Sequence, residues 1–282
     1  MDKLFILFQH LVPQHLLSRC TGALARLRHP EWLKNFLIRQ FILHFDVDMS
    51  EALEPDPDQY ACFNDFFTRP LCDGARPLAV ADILCPADGA ISQLGEIANG
   101  LLFQAKGRFF SAEDLLGGDT VRAAQFQGGQ FATIYLSPKD YHRVHMPVAG
   151  KLTATCYIPG KLFSVNGVTA ENVDRLFARN ERLVCHFETE HGPMAMVLVG
   201  AMVVAGIETV WAGQVAPPPK HPVTVDYLSP PQSVELAQGD EIGRFLLGST
   251  VILLFPEGVM GFDERYLAGA ATRMGEMLGS YQ

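Results

Sequence analysis

The stretch that organises the chain is LGSTVILLF, residues 247–255 of the 282-residue sequence. A polar turn and a strand-like run, residues 239–246, precede it, and residues 251–255 are apolar throughout. Gly248 has no Cβ, so a nucleophile can approach its carbonyl carbon closely and its peptide can be held under strain. Ser249 supplies a hydroxyl directly beside that carbonyl. The stretch therefore combines a strand with a candidate site of backbone chemistry.

The Gly248–Ser249 pair has two interpretations. The ordinary one is a turn that enters a strand, and for an isolated Gly-Ser-Thr it is the favoured one. In the reactive one, a base removes the hydroxyl proton of Ser249 and its oxygen attacks the carbonyl of Gly248, shifting the acyl group from nitrogen to oxygen. Elimination of that ester and hydrolysis leave a pyruvoyl group at a new N-terminus. Residues further upstream must decide between the two.

Composition narrows the class of protein. A hydrophobic content of 48% is enough for one substantial core, and a net charge of −9 argues against bulk attraction to nucleic acid. The six cysteines form no Cys-x-x-Cys pair, so we expect reduced thiols in an intracellular protein. No signal peptide is recognisable, and the longest apolar run, residues 194–207, is shorter than the roughly 20 residues of a spanning helix. We expect a protein that does not cross a membrane.

The N-terminal region predicts three short helices within residues 2–44, because apolar residues recur there at helical spacing. Residues 1–45 also carry six Lys or Arg residues against two acidic ones. One interpretation is a helical cap packed on the core. The other is an apolar, basic-flanked surface that lies in the membrane interface. Both can hold for different faces of the helices.

From Ile83 onward the sequence predicts a β-rich domain, because short apolar runs alternate with Gly and Pro. The predicted strands are residues 89–94, 131–136, 152–157, 183–188, 195–204, 209–215 and 251–255. One helix is predicted over residues 170–180 with Thr169 as its N-cap. Residues after Gly261 read as a weak helix or a loose tail. The expected fold class is α+β, with short N-terminal helices followed by a β-rich catalytic domain.

Two upstream segments carry candidate chemistry. Asp88 lies in a tight Pro-Ala-Asp-Gly turn before a predicted strand, and His142 and His145 lie three apart beside a strand end. The histidines are a weak zinc candidate, because no complete ligand set accompanies them. The alternative is a base next to a nucleophile, with a carboxylate that fixes the imidazole, which is the logic of a Ser-His-Asp relay.

Taken in order, these segments resemble the bacterial phosphatidylserine decarboxylases, which are membrane-associated, pyruvoyl-dependent proenzymes. The resemblance covers nearly the whole chain. It is carried by FNDFFTR (63–69), PADG (86–89), residues 136–147 with YHRVHMP, LFSVN (162–166), LFARNER (176–182), VGA (199–201), GDEIGRF (239–245) and LGST (247–250). One departure is the pair Ala205-Gly206, where the family often has Gly-Ser.

The resemblance implies roles for five residues. The proenzyme would cut itself between Gly248 and Ser249 into a β chain, residues 1–248, and an α chain, residues 249–282, and Ser249 would become the pyruvoyl cofactor. His145 resembles the family's base in self-cleavage, Asp88 its orienting carboxylate and Ser249 the attacking hydroxyl. His142 resembles the residue that handles substrate or protons during decarboxylation. His142 and His145 share a face if their segment is helical and do not if it is extended.

The implied function is decarboxylation of phosphatidylserine. The pyruvoyl ketone would form a Schiff base with the substrate amine and accept the electrons released with CO₂, giving phosphatidylethanolamine without a metal. The expected partners are phosphatidylserine and a membrane surface, and no nucleic acid. We expect residues 1–45 to be a membrane-association segment, residues 46–282 to be the catalytic domain, and the protein to lie peripherally on the cytoplasmic face of the cell membrane. The mature two-chain unit is expected to form a homodimer.

Three other functions stay open at this point. One is a pyruvoyl decarboxylase acting on another serine phospholipid or on an amino acid. A second is a serine hydrolase that uses Ser249, His145 and Asp88 without self-cleavage, although the chain has no Gly-x-Ser-x-Gly motif. The third is a lipid-binding protein without activity.

Overall fold

Strands contribute more residues than helices to the described structure, and the two longest described helices precede the strands. The computed structural model describes residues 6–7, 9, 12–202, 206–215, 219–229, 232–246 and 249–282, and Ser249 through its backbone alone. The expected α+β class is confirmed.

Two of the three predicted N-terminal helices are present. They are α1 (Gln14–Ala25) and α2 (Glu31–Phe45), and each begins directly after a proline, whose fixed φ suits a helix start. The first predicted helix falls largely outside the described residues. A 3₁₀ helix (Pro57–Gln59) and the short helix α3 (Phe63–Phe67) follow.

Helix α2 is anchored by an aromatic cluster. The ring of Phe41 contacts those of Phe63, Phe66 and Phe67 edge-on, with centroids 5.1–6.0 Å apart. Ile38 on the same helix is fully buried in this cluster. The N-terminal helices are therefore fastened to the segment that follows them, and one face of them does act as a packed cap.

The remaining helices are short, and one prediction about them is wrong. They are α4 (Ala112–Leu115), α5 (Thr120–Ala124), α6 (Gly167–Asn172) and α7 (Leu176–Arg179). A single helix over residues 170–180 was expected, but Arg175 adopts a left-handed conformation with φ of 51° and separates α6 from α7. The N-cap of α6 is Asn166, whose side chain accepts the N–H of Thr169 at 3.0 Å.

The strands are β1 (Ile83–Leu84), β2 (Gly89–Glu96), β3 (Leu101–Ala105), β4 (Arg108–Ser111), β5 (Gln130–Leu136), β6 (Arg143–His145), β7 (Gly150–Ile158), β8 (Arg182–Thr189), β9 (Gly192–Gly200), β10 (Ile207–Thr209), β11 (Gly213–Gln214), β12 (Val223–Asp226), β13 (Val234–Leu236), β14 (Glu241–Phe245), β15 (Ser249–Phe255), β16 (Met260–Phe262), β17 (Ala271–Thr272) and β18 (Met277–Tyr281). The run predicted as one strand over residues 209–215 is instead divided by a turn between β10 and β11.

A nine-stranded antiparallel sheet forms the body of the protein. Its order is β12-β7-β8-β9-β15-β5-β2-β17, and β13 pairs beside β12 on β7. A four-stranded sheet, β11-β10-β14-β6, packs against one face. Along β15, Val251 and Leu253 enter the core between the sheets, while Ile252 and Leu254 enter a second core on the opposite face. Burial on both faces explains why this strand is apolar throughout.

The C-terminal region differs from the expectation of a weak helix or loose tail. Strand β18 pairs with both β1 and β16, and Leu278 on it is fully buried. The sequence did not reveal the C-terminal strands β16 and β18, because they are short and contain glycines, so no alternation of apolar and polar residues is visible. They close the end of the chain against the body of the protein.

Candidate active site

The backbone of Ser249 opens strand β15 in the middle of the large sheet. It pairs with Leu136 on β5 and with Gly200 on β9. Leu247, Gly248 and the side chain of Ser249 lie outside the described residues. The segment that carries both candidate histidines leaves β5 directly after Leu136, so it starts next to Ser249.

His145 is held by hydrogen bonds at both ring nitrogens. Its Nδ1 lies 2.8 Å from the carbonyl oxygen of Gly239, and its Nε2 lies 3.1 Å from the hydroxyl of Tyr141. Because a carbonyl can only accept, Nδ1 carries the proton and Nε2 accepts from the hydroxyl. Burial lowers the pKa of His145 below its ordinary value. The ring is therefore neutral, and its unprotonated nitrogen Nε2, which accepts from Tyr141, is in the form that a general base needs.

Asp88 is buried, and its carboxylate bonds to groups other than His145. The guanidinium of Arg76 donates to it at 3.0 Å, and the N–H of Met274 donates at 2.8 Å. The loop that carries Asp88 is joined to His145 by a backbone hydrogen bond. The N–H of His145 donates to the carbonyl oxygen of Pro86 at 2.8 Å. The charge of Asp88 acts on the imidazole through space and opposes the lowering of its pKa by burial.

His142 is fully buried and keeps one ring nitrogen free. Its Nδ1 donates to the carbonyl oxygen of Asp140 at 2.7 Å, and its ring lies on that of Phe67 with centroids 4.0 Å apart. Among the described residues nothing hydrogen-bonds its Nε2. Burial, together with the charge of Arg69, lowers the pKa of His142 to about 3. The site therefore contains a neutral imidazole with an unpartnered, buried acceptor nitrogen.

The two histidines sit on an extended segment, which settles the alternative left open above. Strand β6 runs from Arg143 to His145, so a shared helical face does not exist. The carbonyl of His142 accepts the N–H of Phe245 at 3.1 Å, and Arg143 forms a 2.8 Å ion pair with Glu241. Strand β14 thus pairs with His145 at its start and contacts His142 at its end, three residues before Gly248. Phe245 before the candidate cleavage site contacts His142, and Ser249 after it pairs with Leu136, from which the histidine segment starts.

Sequence reasoning missed two arginines of the site. Arg76 pairs with Asp88 and, at 2.8 Å, with Glu51. Arg69 is buried over the ring of Phe66 and donates to the carbonyl of Lys139 at 3.2 Å. A signal existed, because a buried carboxylate such as Asp88 needs a cationic partner. Which residue is that cationic partner depends on contacts between distant parts of the chain.

No metal-binding arrangement was found within the described residues, meaning a group of three or more His, Cys, Asp or Glu side chains placed to ligate one ion. The cysteines in the described part of the chain are free thiols, and those at 62, 85, 156 and 185 are buried.

Comparisons with known proteins agree along the whole chain. Residues 63–280 match the family model described as phosphatidylserine decarboxylase, and residues 4–46 match a model described as PSD. A phosphatidylserine decarboxylase proenzyme of Ectopseudomonas mendocina is 59% identical, with 100% of this chain and 99% of that protein aligned. Proteins of the same name from Alcanivorax borkumensis and Azotobacter vinelandii are 56% and 58% identical, each over 99% of this chain and over 97% and 98% of their own lengths.

Proposed function

The chain belongs to the phosphatidylserine decarboxylase family and is a carboxy-lyase made as a proenzyme, and we propose that it cleaves itself between Gly248 and Ser249 and then converts phosphatidylserine to phosphatidylethanolamine. The observation that carries this proposal is the position of Ser249. Its backbone opens a buried strand, and the strand beside it leads straight into the segment with His142 and His145. The backbone of Ser249 and the start of the segment with the two neutral imidazoles thus lie next to each other at one end of the sheet.

In self-cleavage, His145 acts as the base that takes the hydroxyl proton of Ser249. The carbonyl of Gly239 holds its Nδ1–H, so this carbonyl fixes the tautomer and Nε2 is the nitrogen that accepts. Asp88 acts through its charge, which stabilises the imidazolium that forms. The hydrogen bond from Arg76 fixes that carboxylate in place.

In the mature enzyme, a pyruvoyl group at the position of Ser249 would supply a ketone that is reactive toward a primary amine and would serve as the electron sink for decarboxylation. The residues present fit such a group, because the segment that follows Leu136, the strand partner of Ser249, carries an unpartnered buried nitrogen on His142. His142 holds or returns a proton at Nε2, which is buried in an imidazole that packs on the ring of Phe67.

The variant His142→Ala should separate the two reactions. It is expected to cleave like the parent chain, because the base nitrogen assigned to cleavage belongs to His145. Decarboxylation should fall by about 10²-fold or more, the usual contribution of a proton-transfer group. A denaturing gel reports cleavage, and release of CO₂ from carboxyl-labelled phosphatidylserine reports turnover. His191→Ala, in the exposed turn at the far end of β9, is the matched control. A His142→Ala enzyme that turns over at the parental rate would remove His142 from the site.

The surface of the N-terminal helices supports peripheral membrane binding. Trp32, Phe36 and Leu43 lie along one face of α2 and are 70%, 54% and 76% exposed. Exposed apolar stripes of this kind mark interaction surfaces, and aromatic rings suit the membrane interface. None of the described helices combines the length and apolar character that a membrane-spanning helix needs. We propose that this face of α2 lies in the cytoplasmic surface of the cell membrane.

Replacing Trp32, Phe36 and Leu43 together with serine should weaken vesicle binding. Burying even one such side chain contributes about 1.5–3 kcal/mol, so the triple variant should lose about tenfold or more in affinity for phosphatidylserine vesicles in a sedimentation assay. Self-cleavage should be unchanged. The control replaces Val121 and Leu267 with serine. These residues lie outside the N-terminal helices and are 75% and 70% exposed. Equal sedimentation of both variants would place the membrane contact on another surface.

Homodimer formation by the mature protein stays a prediction. Sedimentation velocity of the cleaved protein in detergent tests it.

A further inference from the structure

Three residues lie side by side across the large sheet at the end where β15 begins. Ser249 pairs with Gly200 on β9, and the N–H of Gly200 donates at 2.8 Å to the carbonyl oxygen of Glu181, immediately before β8. Neighbouring strands are about 4.8 Å apart, so the backbones of Glu181 and Ser249 are about 10 Å apart with only Gly200 between them. Glu181 belongs to LFARNER (176–182) and Gly200 to VGA (199–201). The chemistry proposed above assigns no role to either segment.

Gly200 leaves a gap in this row. A β-carbon built on it would lie 4.0 Å from the Cβ of Glu181 and 3.6 Å from a methyl group of Leu162. The side chain of Glu181 therefore leaves the sheet on the side where a Gly200 side chain would stand. Because Gly200 has no side chain, none stands between the side chain of Glu181 and the backbone of Ser249 in this row.

The carboxyl group of Glu181 is half-buried and forms no ion pair with a described residue. Burial raises the pKa of Glu181, and the neighbouring Tyr157 hydroxyl and His15 charge act in the opposite direction. In the part of the chain that the structure describes, no lysine or arginine forms an ion pair with it. A desolvated carboxylate without an ion-pair partner is costly, and a bound cation would offset that cost.

We propose that Glu181 binds the ammonium group of phosphatidylserine and holds it next to Ser249. The inference rests on the function proposed above, because it takes Ser249 as the reacting position. The serine head group carries an ammonium, a carboxylate and a phosphodiester, and only the ammonium is attracted by an anionic side chain. The ammonium nitrogen is also the atom that must reach the group at Ser249. A carboxylate two strands away therefore positions the correct end of the head group through a charge-assisted hydrogen bond.

Glu181→Gln tests this proposal, because it removes the charge and keeps the size of the side chain. Self-cleavage should match the parent chain, while the KM for phosphatidylserine in mixed micelles should rise about tenfold or more, as expected for a lost hydrogen bond to a charged group. Inhibition by phosphatidylethanolamine, which keeps the ammonium, should weaken by the same factor. Inhibition by phosphatidylglycerol, which lacks the ammonium, should not change. Glu188→Gln, at an exposed position on β8, is the matched control and should behave like the parent.

Gly200→Ala provides a second test in which Glu181 is intact. Its methyl group would fill the gap, at the cost of a close 3.3 Å contact with the carbonyl oxygen of Glu181. Gly200→Ala should therefore raise the KM for phosphatidylserine, as Glu181→Gln does. Adding Glu181→Gln to it should then have a smaller effect than in the parent chain, because the two changes disrupt one contact.

The results distinguish a failure of the Glu181 proposal from a failure of the proposed function. Parental KM and parental phosphatidylethanolamine inhibition in a cleaved Glu181→Gln enzyme would overturn the proposal. Loss of cleavage in both Glu181→Gln and Glu181→Asp would overturn it too, since the carboxyl would then serve folding or maturation. Cleavage of Glu181→Asp with an intermediate KM supports it. A parent chain that neither cleaves nor releases CO₂ would instead contradict the proposed function itself.

Discussion

Ser249→Ala is expected to leave one uncleaved chain of 282 residues with no detectable decarboxylase activity. Without the hydroxyl there is no nucleophile beside the carbonyl of Gly248, and without cleavage there is no pyruvoyl group. Ser249→Cys and Ser249→Thr retain a nucleophile and should cleave slowly. The measurement is a denaturing gel over time after purification, combined with CO₂ release from labelled phosphatidylserine.

Thr250→Val is the matched control for this change. Thr250 follows Ser249 on β15, is fully buried, and its hydroxyl has no hydrogen-bond partner among the described residues. Exchanging it for an isosteric methyl group should therefore leave cleavage intact and should not lower stability. Two chains of the expected lengths from Ser249→Ala would disprove the assignment of the cleavage site.

His145→Ala is the second change with a large expected effect. Removing the base should slow self-cleavage by about 10²-fold or more. Asp88→Asn should slow it less, because the carboxylate of Asp88 is hydrogen-bonded to Arg76 and Met274 and acts on His145 through its charge. The ratio of cleaved to uncleaved chain after a fixed time measures both variants. Normal cleavage in His145→Ala would move the role of base to another residue, with His142 the first candidate.

The strands could be predicted where burial leaves a simple pattern. Strand β15 is buried on both faces, so its apolar run stands out, and the N-terminal helices show regular helical spacing. The break at Arg175 could not be predicted, because a left-handed arginine leaves no mark in composition. The C-terminal strands were missed because their order comes from pairing with β1, some 190 residues away in sequence.

The choice of site residues stays a prediction, and the contacts of these residues could not be predicted from the sequence. Asp88, His142, His145 and Ser249 were singled out by motif, yet the partners of each depend on long-range packing. The carbonyl of Gly239 at His145 and the guanidinium of Arg76 at Asp88 come from other loops. The row from Ser249 through Gly200 to Glu181 exists only through sheet register, which a single sequence does not reveal.

The most direct test of self-cleavage into a pyruvoyl enzyme is the intact mass of the purified active protein. Two chains are predicted, corresponding to residues 1–248 and 249–282, with the smaller one lighter by one ammonia than a chain that begins with serine. Cyanoborohydride with phosphatidylserine should then add the reduced lipid to the N-terminus of the smaller chain, and hydroxylamine added first should prevent this. A single uncut chain that decarboxylates phosphatidylserine, or lipid trapped on a lysine of the larger chain, would contradict the account.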